Sequence, residues 1–287
     1  MIAHVAEAGE DRGRVVLRLK ATTRPSAVAL DAAVRVARAF GSEIESLYVQ
    51  EHQLFDLASY SFVREGSWSG QAARTLDAGR LEREAEAMAR VVQAQVAEYA
   101  GRHRIKVRMR TVRDEPVRAL AAACAEFGPW NVVALAEPFH ARDPHALAEM
   151  FDSVPGTTGL VLAGPRARIV DGPVVAAIEE IDRLAPMLRA ASRLAGVGSG
   201  EIRLVLMGSD HNTLSFMDGQ ARLVLGEVGN VRLEAVRLVE GGETAARILK
   251  GSNAGFIIAQ YGGFVVPADG EAEPLSEHVE CPVFLGR

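Results

Sequence analysis

Several short constellations in this chain hold residue types capable of chemistry. Ser209-Asp210-His211 contains the members of a hydrolase triad. Consecutive residues cannot orient one another in that way, because a working triad is assembled from distant segments. The triad reading is rejected. His140, Arg142 and His145 stand around Asp143 and offer an anion or metal site. The two histidines are five apart rather than three or four, so a helix does not place them on one face. The group reads as a solvated helix start. Gly262-Gly263 follows the apolar run AGFIIAQ and has the place of a phosphate-binding turn. A tight turn after a buried strand uses glycine equally well, so both readings stand. Cys124 sits in an Ala-rich helical run and Cys281 opens a last apolar strand. Neither has a second ligand at a metal-binding spacing, and both read as small core residues.

The totals exclude several classes. The 287 residues are 48% hydrophobic and 24% charged, with a formal net charge of -5. That is the composition of a soluble globular protein with no overall basic field for nucleic acid or an anionic membrane. The polar, acidic start lacks the flank and apolar stretch of a secretory signal, and no apolar run approaches the roughly 20 residues of a membrane helix. The cytoplasm is the expected location. In Arg102 to Arg113 the basic residues alternate with apolar ones at strand spacing. This predicts a half-exposed edge strand, whose charges discourage pairing with another sheet.

The elements that must position any site alternate regularly. Strands are predicted at Arg14–Lys20, Glu43–Val49, Ile105–Val112, Asn131–Ala136 and Thr158–Ala163. Helices lie between them, at Pro25–Phe40, Leu81–Tyr99, Glu115–Phe127 and near Asp143–Met150. Leu81, Ala85, Met88, Val92, Val96 and Tyr99 repeat at three-or-four spacing, the mark of a helix with one buried face. After Gly164-Pro165 the same order starts again and closes on PVFLG. Strands alternating with helices imply parallel pairing, because each connection needs a crossover. The expected fold class is therefore α/β, in two units over residues 14–164 and 172–287.

Three stretches resemble the universal stress protein family. They are PVRALAAACAEFGPWNVVALA from Pro116, TAARILKGSNAGFIIAQYGG from Thr244, and the closing Cys281-Pro282-Val283-Phe284-Leu285. The resemblance runs in two copies from about Arg14 to Arg287. It implies tandem units, each a five-stranded parallel sheet flanked by helices, related by an approximate twofold axis. The unit boundary would fall between Gly164 and Gly172. Pairing through the last strands, Thr158–Ala163 and Pro282–Gly286, is implied as well. One continuous sheet of ten strands, or unrelated topologies in the halves, would overturn the reading as two tandem sheets.

In nucleotide-binding members of the family, ATP or AMP is held by a Gly-x2-Gly-x9-Gly-Ser/Thr loop after the fourth strand. Both halves here depart from it. The first has Glu137-Pro138-Phe139-His140 at that place, and the second has Tyr261-Gly262-Gly263-Phe264. Proline offers no N–H and a glutamate repels phosphate. At the end of the first strand, where the family tends to carry Asp, stand Lys20-Ala21-Thr22 and Glu179-Glu180. No ATP or AMP cofactor is expected, and a remnant ligand pocket is assigned to Gly262, Gly263, Glu179 and Ser209.

The connection over about 50–80 has no counterpart in the second half. It holds Phe55, Tyr60, Phe62 and Trp68. Loops this long are uncommon unless functional or disordered, and this one is too aromatic for disorder. Leu54, Phe55, Ala58 and Phe62 have the spacing of a short amphipathic helix. The aromatic residues are expected either to cover the sheet and ancestral pocket of the first unit as a lid or to form a partner surface. Three functions follow for testing. The first is a non-enzymatic, stress-related regulatory or adaptor protein acting through a protein partner, self-association or an unidentified small ligand. The second is a nucleotide or small-ligand sensor with an altered site in the second unit. The third, an adenine-nucleotide hydrolase, lacks a visible nucleophile, base or metal cluster and ranks last.

Overall fold

The structure is a computed structural model that describes residues 13–20, 24–66, 73–126, 130–139, 146–154, 156–226, 230–237, 241–268 and 275–287. The first half runs β1 (Val15–Lys20), α1 (Ala27–Phe40), β2 (Ile44–Gln50), α2 (His52–Ala58), β3 (Arg64–Gly66) and β4 (Ala73–Thr75). It continues through α3 (Ala78–Arg102), β5 (Val107–Arg113), α4 (Pro116–Ala125), β6 (Asn131–Leu135), α5 (Ala146–Ser153) and β7 (Thr157–Leu162). The second half runs β8 (Val174–Ile178), α6 (Ile181–Gly196), β9 (Ile202–Gly208), α7 (His211–Leu225) and β10 (Val231–Arg237). It closes with α8 (Gly241–Lys250), β11 (Phe256–Gln260), α9 (Leu275–His278) and β12 (Val283–Gly286).

Local chemistry explains several boundaries. Gly41 ends α1 in the left-handed region, at φ 61°, where a side chain would be strained. Asp77 caps α3 by accepting the Arg80 N–H at 2.6 Å. Pro116 starts α4, at the position where a missing N–H costs nothing.

The main sheet has ten strands in the order β10-β9-β8-β11-β12-β7-β6-β1-β2-β5. The expectation of two separate sheets is therefore corrected. Within each half the spatial order is nonetheless the same: third, second, first, fourth and fifth strand. All pairings of the main sheet within a half are parallel. The halves join where β12 pairs antiparallel with β7, Val283 opposite Leu162 and Gly286 opposite Gly159. The last strands do pair, and that pairing makes the sheet continuous. One core lies beneath α1, α3, α6 and α7, the other beneath α4, α5 and α8.

Side chains lock the junction. A Cβ on Gly159 would collide with the Phe284 ring across the antiparallel pair. From α1, the buried Arg35 donates to the Val170 carbonyl at 2.9 Å and to the Leu194 carbonyl at 3.4 Å. Gly198 leaves room for that guanidinium. Arg193 of α6 reaches back over the Phe40 ring of α1, 5.4 Å from its centroid. The link between the halves is held too, since the N–H groups of Arg168 and Ile169 both donate to the Glu280 carbonyl at 2.8 Å.

Overfilling the junction tests this packing. Gly159→Val is expected to cost about 1–3 kcal/mol of unfolding free energy, the usual penalty for forcing atoms into a filled core. The reading is a lower urea midpoint at unchanged slope. An unchanged midpoint would show that Phe284 does not occupy that space.

Candidate functional site

In open α/β sheets ligands bind at the carboxyl ends of the strands, where the strand order reverses. Here those places are β1 beside β6 and β8 beside β11. Val15 stands opposite Val132 and Val174 opposite Phe256, so Lys20 and Glu179 hold the same position in the two halves. Glu137 and Tyr261 correspond in the same way.

In the second half the site is occupied by the chain itself. Glu179 is only 8% exposed. Its carboxylate accepts the N–H of Phe264, and the N–H of Val265 lies 3.3 and 3.4 Å from its two oxygens. Each loop glycine has a definite task. Gly262 adopts φ 86°, and its N–H donates to the Val266 carbonyl at 2.8 Å, closing the turn. At Gly263 a Cβ would strike the Glu179 carboxylate. Tyr261 stacks on Phe151 of α5 with ring centroids 4.2 Å apart, tying the loop to the first half. Gln260, the last residue of β11, keeps a buried Oε1 with no hydrogen-bond partner.

Three of the four residues assigned to the remnant pocket thus come together. Ser209 does not join them. It follows β9, its carbonyl accepts from Arg237 Nε at 3.2 Å, and no hydrogen bond among the described residues links it to Glu179. Its neighbour Asp210 caps α7, accepting the Thr213 N–H at 2.9 Å and hydroxyl at 2.6 Å. Those bonds hold the Asp210 carboxyl below its ordinary range. The residues that resembled a triad therefore form a helix cap.

The first half closes the equivalent place by another device. Arg18 of β1 donates to Glu137, the residue that stands where a phosphate loop would begin. Arg18 Nε and Glu137 Oε2 remain buried without partners. The Phe139 N–H donates to the Ala163 carbonyl at 2.8 Å and its ring is buried, so Glu137-Pro138-Phe139 is packed structure. His140, Arg142, Asp143 and His145, with Ala21 and Thr22, lie outside the described residues.

The long connection of the first half holds α2 and the β3–β4 hairpin. The helix stops at Ala58, so the expected helical stripe does not extend to Phe62. Phe55 lies against the Arg113 guanidinium, 3.9 Å from ring centroid to carbon, at the outer edge of the sheet. Arg80 binds Glu65 at 2.6 Å and so fixes the hairpin to α3. Tyr60 and Phe62 touch each other at 5.5 Å between centroids. Leu57 is 50% exposed, Tyr60 52% and Phe62 77%. Half or more of each of these three side chains is thus exposed. Trp68 lies outside the described residues.

Burial pushes the Cys124 thiol up to about 11 and the Cys281 thiol up to about 12, leaving neither as a ready thiolate. Among the described residues no group of three His, Cys, Asp or Glu is placed to hold a metal ion. No described helix is long and apolar enough to cross a membrane.

No family model matches the chain, and no curated protein matches it. Solved structures do. A universal stress protein from Archaeoglobus fulgidus DSM 4304 superposes with a TM-score of 0.63 at 15% identity, over 96% of this chain and 97% of that one. The fold is universal-stress-protein-like. A functionally unknown protein from Pseudomonas aeruginosa PAO1 gives 0.56 at 12% identity, over 95% and 92% of the two chains. The cytoplasmic domain of a prokaryotic cation chloride cotransporter gives 0.57 at 9% identity, over 96% and 95%. At these identities the likeness is one of architecture.

Two opposing effects act on Glu179 within this fold. Burial raises its pKa, the Phe264 and Val265 N–H groups pull it back, and burial wins. A raised carboxyl pKa means that the folded state holds the proton more tightly than the unfolded state. The stability from this group is full at acid pH and is lost as pH rises from the ordinary glutamate value through the raised one. In Glu179→Gln that loss should vanish. Urea unfolding over a pH series should therefore show wild type losing ground to the variant as pH rises through that window. A flat difference would mean that the N–H groups balance burial, and one that grows the other way that they outweigh it.

Proposed function

We propose that this protein is a non-enzymatic regulatory or adaptor protein of the universal-stress type, built as two related units, cytoplasmic, and working through protein contacts without taking ATP. The observation that carries this reading is the Glu179 carboxylate seated on the Phe264 and Val265 N–H groups. A phosphate approaching those donors meets a negative charge already in place. In the first half the Arg18–Glu137 pair puts an acid at the corresponding edge of the sheet, on the strand side opposite to that of Glu179.

The contact surface is assigned to α2 and the turn after it. Leu54, Leu57, Tyr60 and Phe62 face water next to one another, and exposed apolar groups that cluster mark interaction sites more often than scattered ones do. The occupant is a protein partner or a second copy.

A second reading, a small-ligand sensor in the second half, is favoured by the Gly262–Val266 turn itself. Its backbone donors would suit a ligand if Glu179 moved away.

Millimolar MgATP is expected to leave the melting temperature of the purified protein unchanged. A clear rise, lost on substitution of Gly262 or Gly263, would favour the sensor. On the contact surface, Leu57→Ser combined with Phe62→Ser should change unfolding free energy by no more than about 0.5 kcal/mol, as for other surface substitutions. A larger loss would show that these side chains are packed within the chain rather than offered to a partner.

A further inference from the structure

We propose that the outer face of α7 is a docking surface for the same helix of a second copy of this chain, the two helices crossing antiparallel at Gly219. This goes beyond the adaptor reading, whose contact surface is α2, and neither depends on the other. α7 packs on β9 and β10 and beside α6, and Leu214, Met217, Ala221 and Leu225 form its buried face. Asn212, Phe216, Gly219 and Leu223 share the opposite face, at spacings of four, three and four residues, and all are exposed. Phe216 is 59% exposed and Leu223 77%. No residue of that face is charged. The acid and the base of the helix, Asp218 and Arg222, are spent on each other at 2.6 and 3.1 Å.

The corresponding helix of the first half provides the contrast. α3, like α7, connects the second strand of its half to the third. Its outward positions carry Arg83, Arg90 and Glu98, and the pairs Glu86–Arg90 and Glu98–Arg102 run along it at one-turn spacing. Charges of that kind keep a helix face in water. α7 holds the same place and lacks them. Gly219 is the second departure. It sits inside the helix, and a Cβ there would meet nothing within 4 Å among the described residues, so packing within the chain does not require a glycine. Glycine in a helix interior nonetheless costs stability relative to alanine. Close approach of another backbone accounts for it.

The occupant is a second copy because the face is complementary to itself. Turning one α7 antiparallel on another about Gly219 sets Phe216 of each copy beside Leu223 of the other, on either side of a crossing where two glycines let the backbones close in. An identical partner also brings identical charges, with a net charge of -5 on each chain, so self-pairing favours a face without charge. The neighbouring strand edge is no alternative, since β10 carries charged residues between its apolar ones. A 15-residue helix is about 22 Å long, so one helix pair covers less than the roughly 1,200 Å² of a stable interface. The dimer is therefore weak and reversible.

Sedimentation equilibrium of the full chain, from nanomolar to high micromolar concentration, tests this. Wild type should pass reversibly from monomer to dimer. Leu223→Glu should weaken the dimer by at least about 100-fold, because a twofold contact buries the added charge twice. Its melting curve should match that of the wild-type monomer, and Leu223→Gln replaces it if the charged variant does not fold. Gly219→Ala separates helix stability from docking. Its monomer should melt at a higher temperature while its dimer weakens by about tenfold, as the added methyl holds the helices apart. Leu57→Ser with Phe62→Ser should leave the dimer intact. A wild type that stays monomeric throughout would overturn the proposal and leave α7 to a different protein. A dimer that survives Leu223→Glu, or that is lost only with Leu57 and Phe62, would overturn it as well and place the contact elsewhere. A higher melting temperature in Gly219→Ala with an unweakened dimer would overturn the crossing at Gly219.

Discussion

The antiparallel pairing of β7 with β12 is the contact on which the rest of the arrangement depends. Each half builds its sheet outward from its first strand, and each ends in a strand with one unpaired edge. Such an edge invites pairing with another chain. Here Val161 faces Phe284 and Leu160 faces Leu285, so the two edges satisfy one another. From that joint follow the contact of α1 with α6, the buried reach of Arg35 to Val170 and Leu194, and the pinning of the link to Glu280. It also leaves β5 and β10 as the edges of the whole sheet. Both carry charged residues between apolar ones, in VRMRTVR and VRLEAVR, and so resist further pairing.

The carboxyl edge of this sheet is where the fold concentrates unsatisfied backbone donors, and each half neutralises that edge with its own residues. In the second half the donors belong to a glycine turn and the acceptor is Glu179. In the first half Glu137-Pro138-Phe139 follows the strand, and a side-chain pair, Arg18 with Glu137, stands there instead. The two solutions are not equivalent physically. A backbone seat remains when its occupant is removed, whereas an ion pair loses its function with either partner.

The strand and helix order was legible because a sheet covered on both faces writes long apolar runs, and its crossover helices write a 3.6-residue period. The edge character of β5 was legible for a similar reason: the basic residues of Arg108 to Arg113 alternate with apolar ones. The pairing of the last strands was implied by the family resemblance alone and not by the residues themselves. A run such as TTGLVL shows that a strand is buried but not which strand lies beside it. Glu179 and the glycine pair were recognisable as site residues, yet their mutual contact spans 85 residues and leaves no local signal. The Arg18–Glu137 pair spans 119. Around α2 the spacing misled. Leu54, Ala58 and Phe62 fit a helical stripe, but the chain turns at Ser59, whose N–H donates to the Asp56 carbonyl, and the rings after it face water. The three-residue strands of the hairpin are too short to write any period.

The claim that Glu179 occupies its own backbone seat can be tested most directly by hydrogen exchange at two amides. The Phe264 side chain is exposed, and the hydrogen bonds found for the Phe264 and Val265 N–H groups run to the Glu179 carboxylate. Comparison of wild type with Glu179→Ala therefore isolates that contact. Slow exchange at both amides is expected in wild type and much faster exchange in the variant, with the amides of β11 unchanged. Exchange at Phe264 and Val265 as fast in wild type as in an unstructured peptide would contradict it.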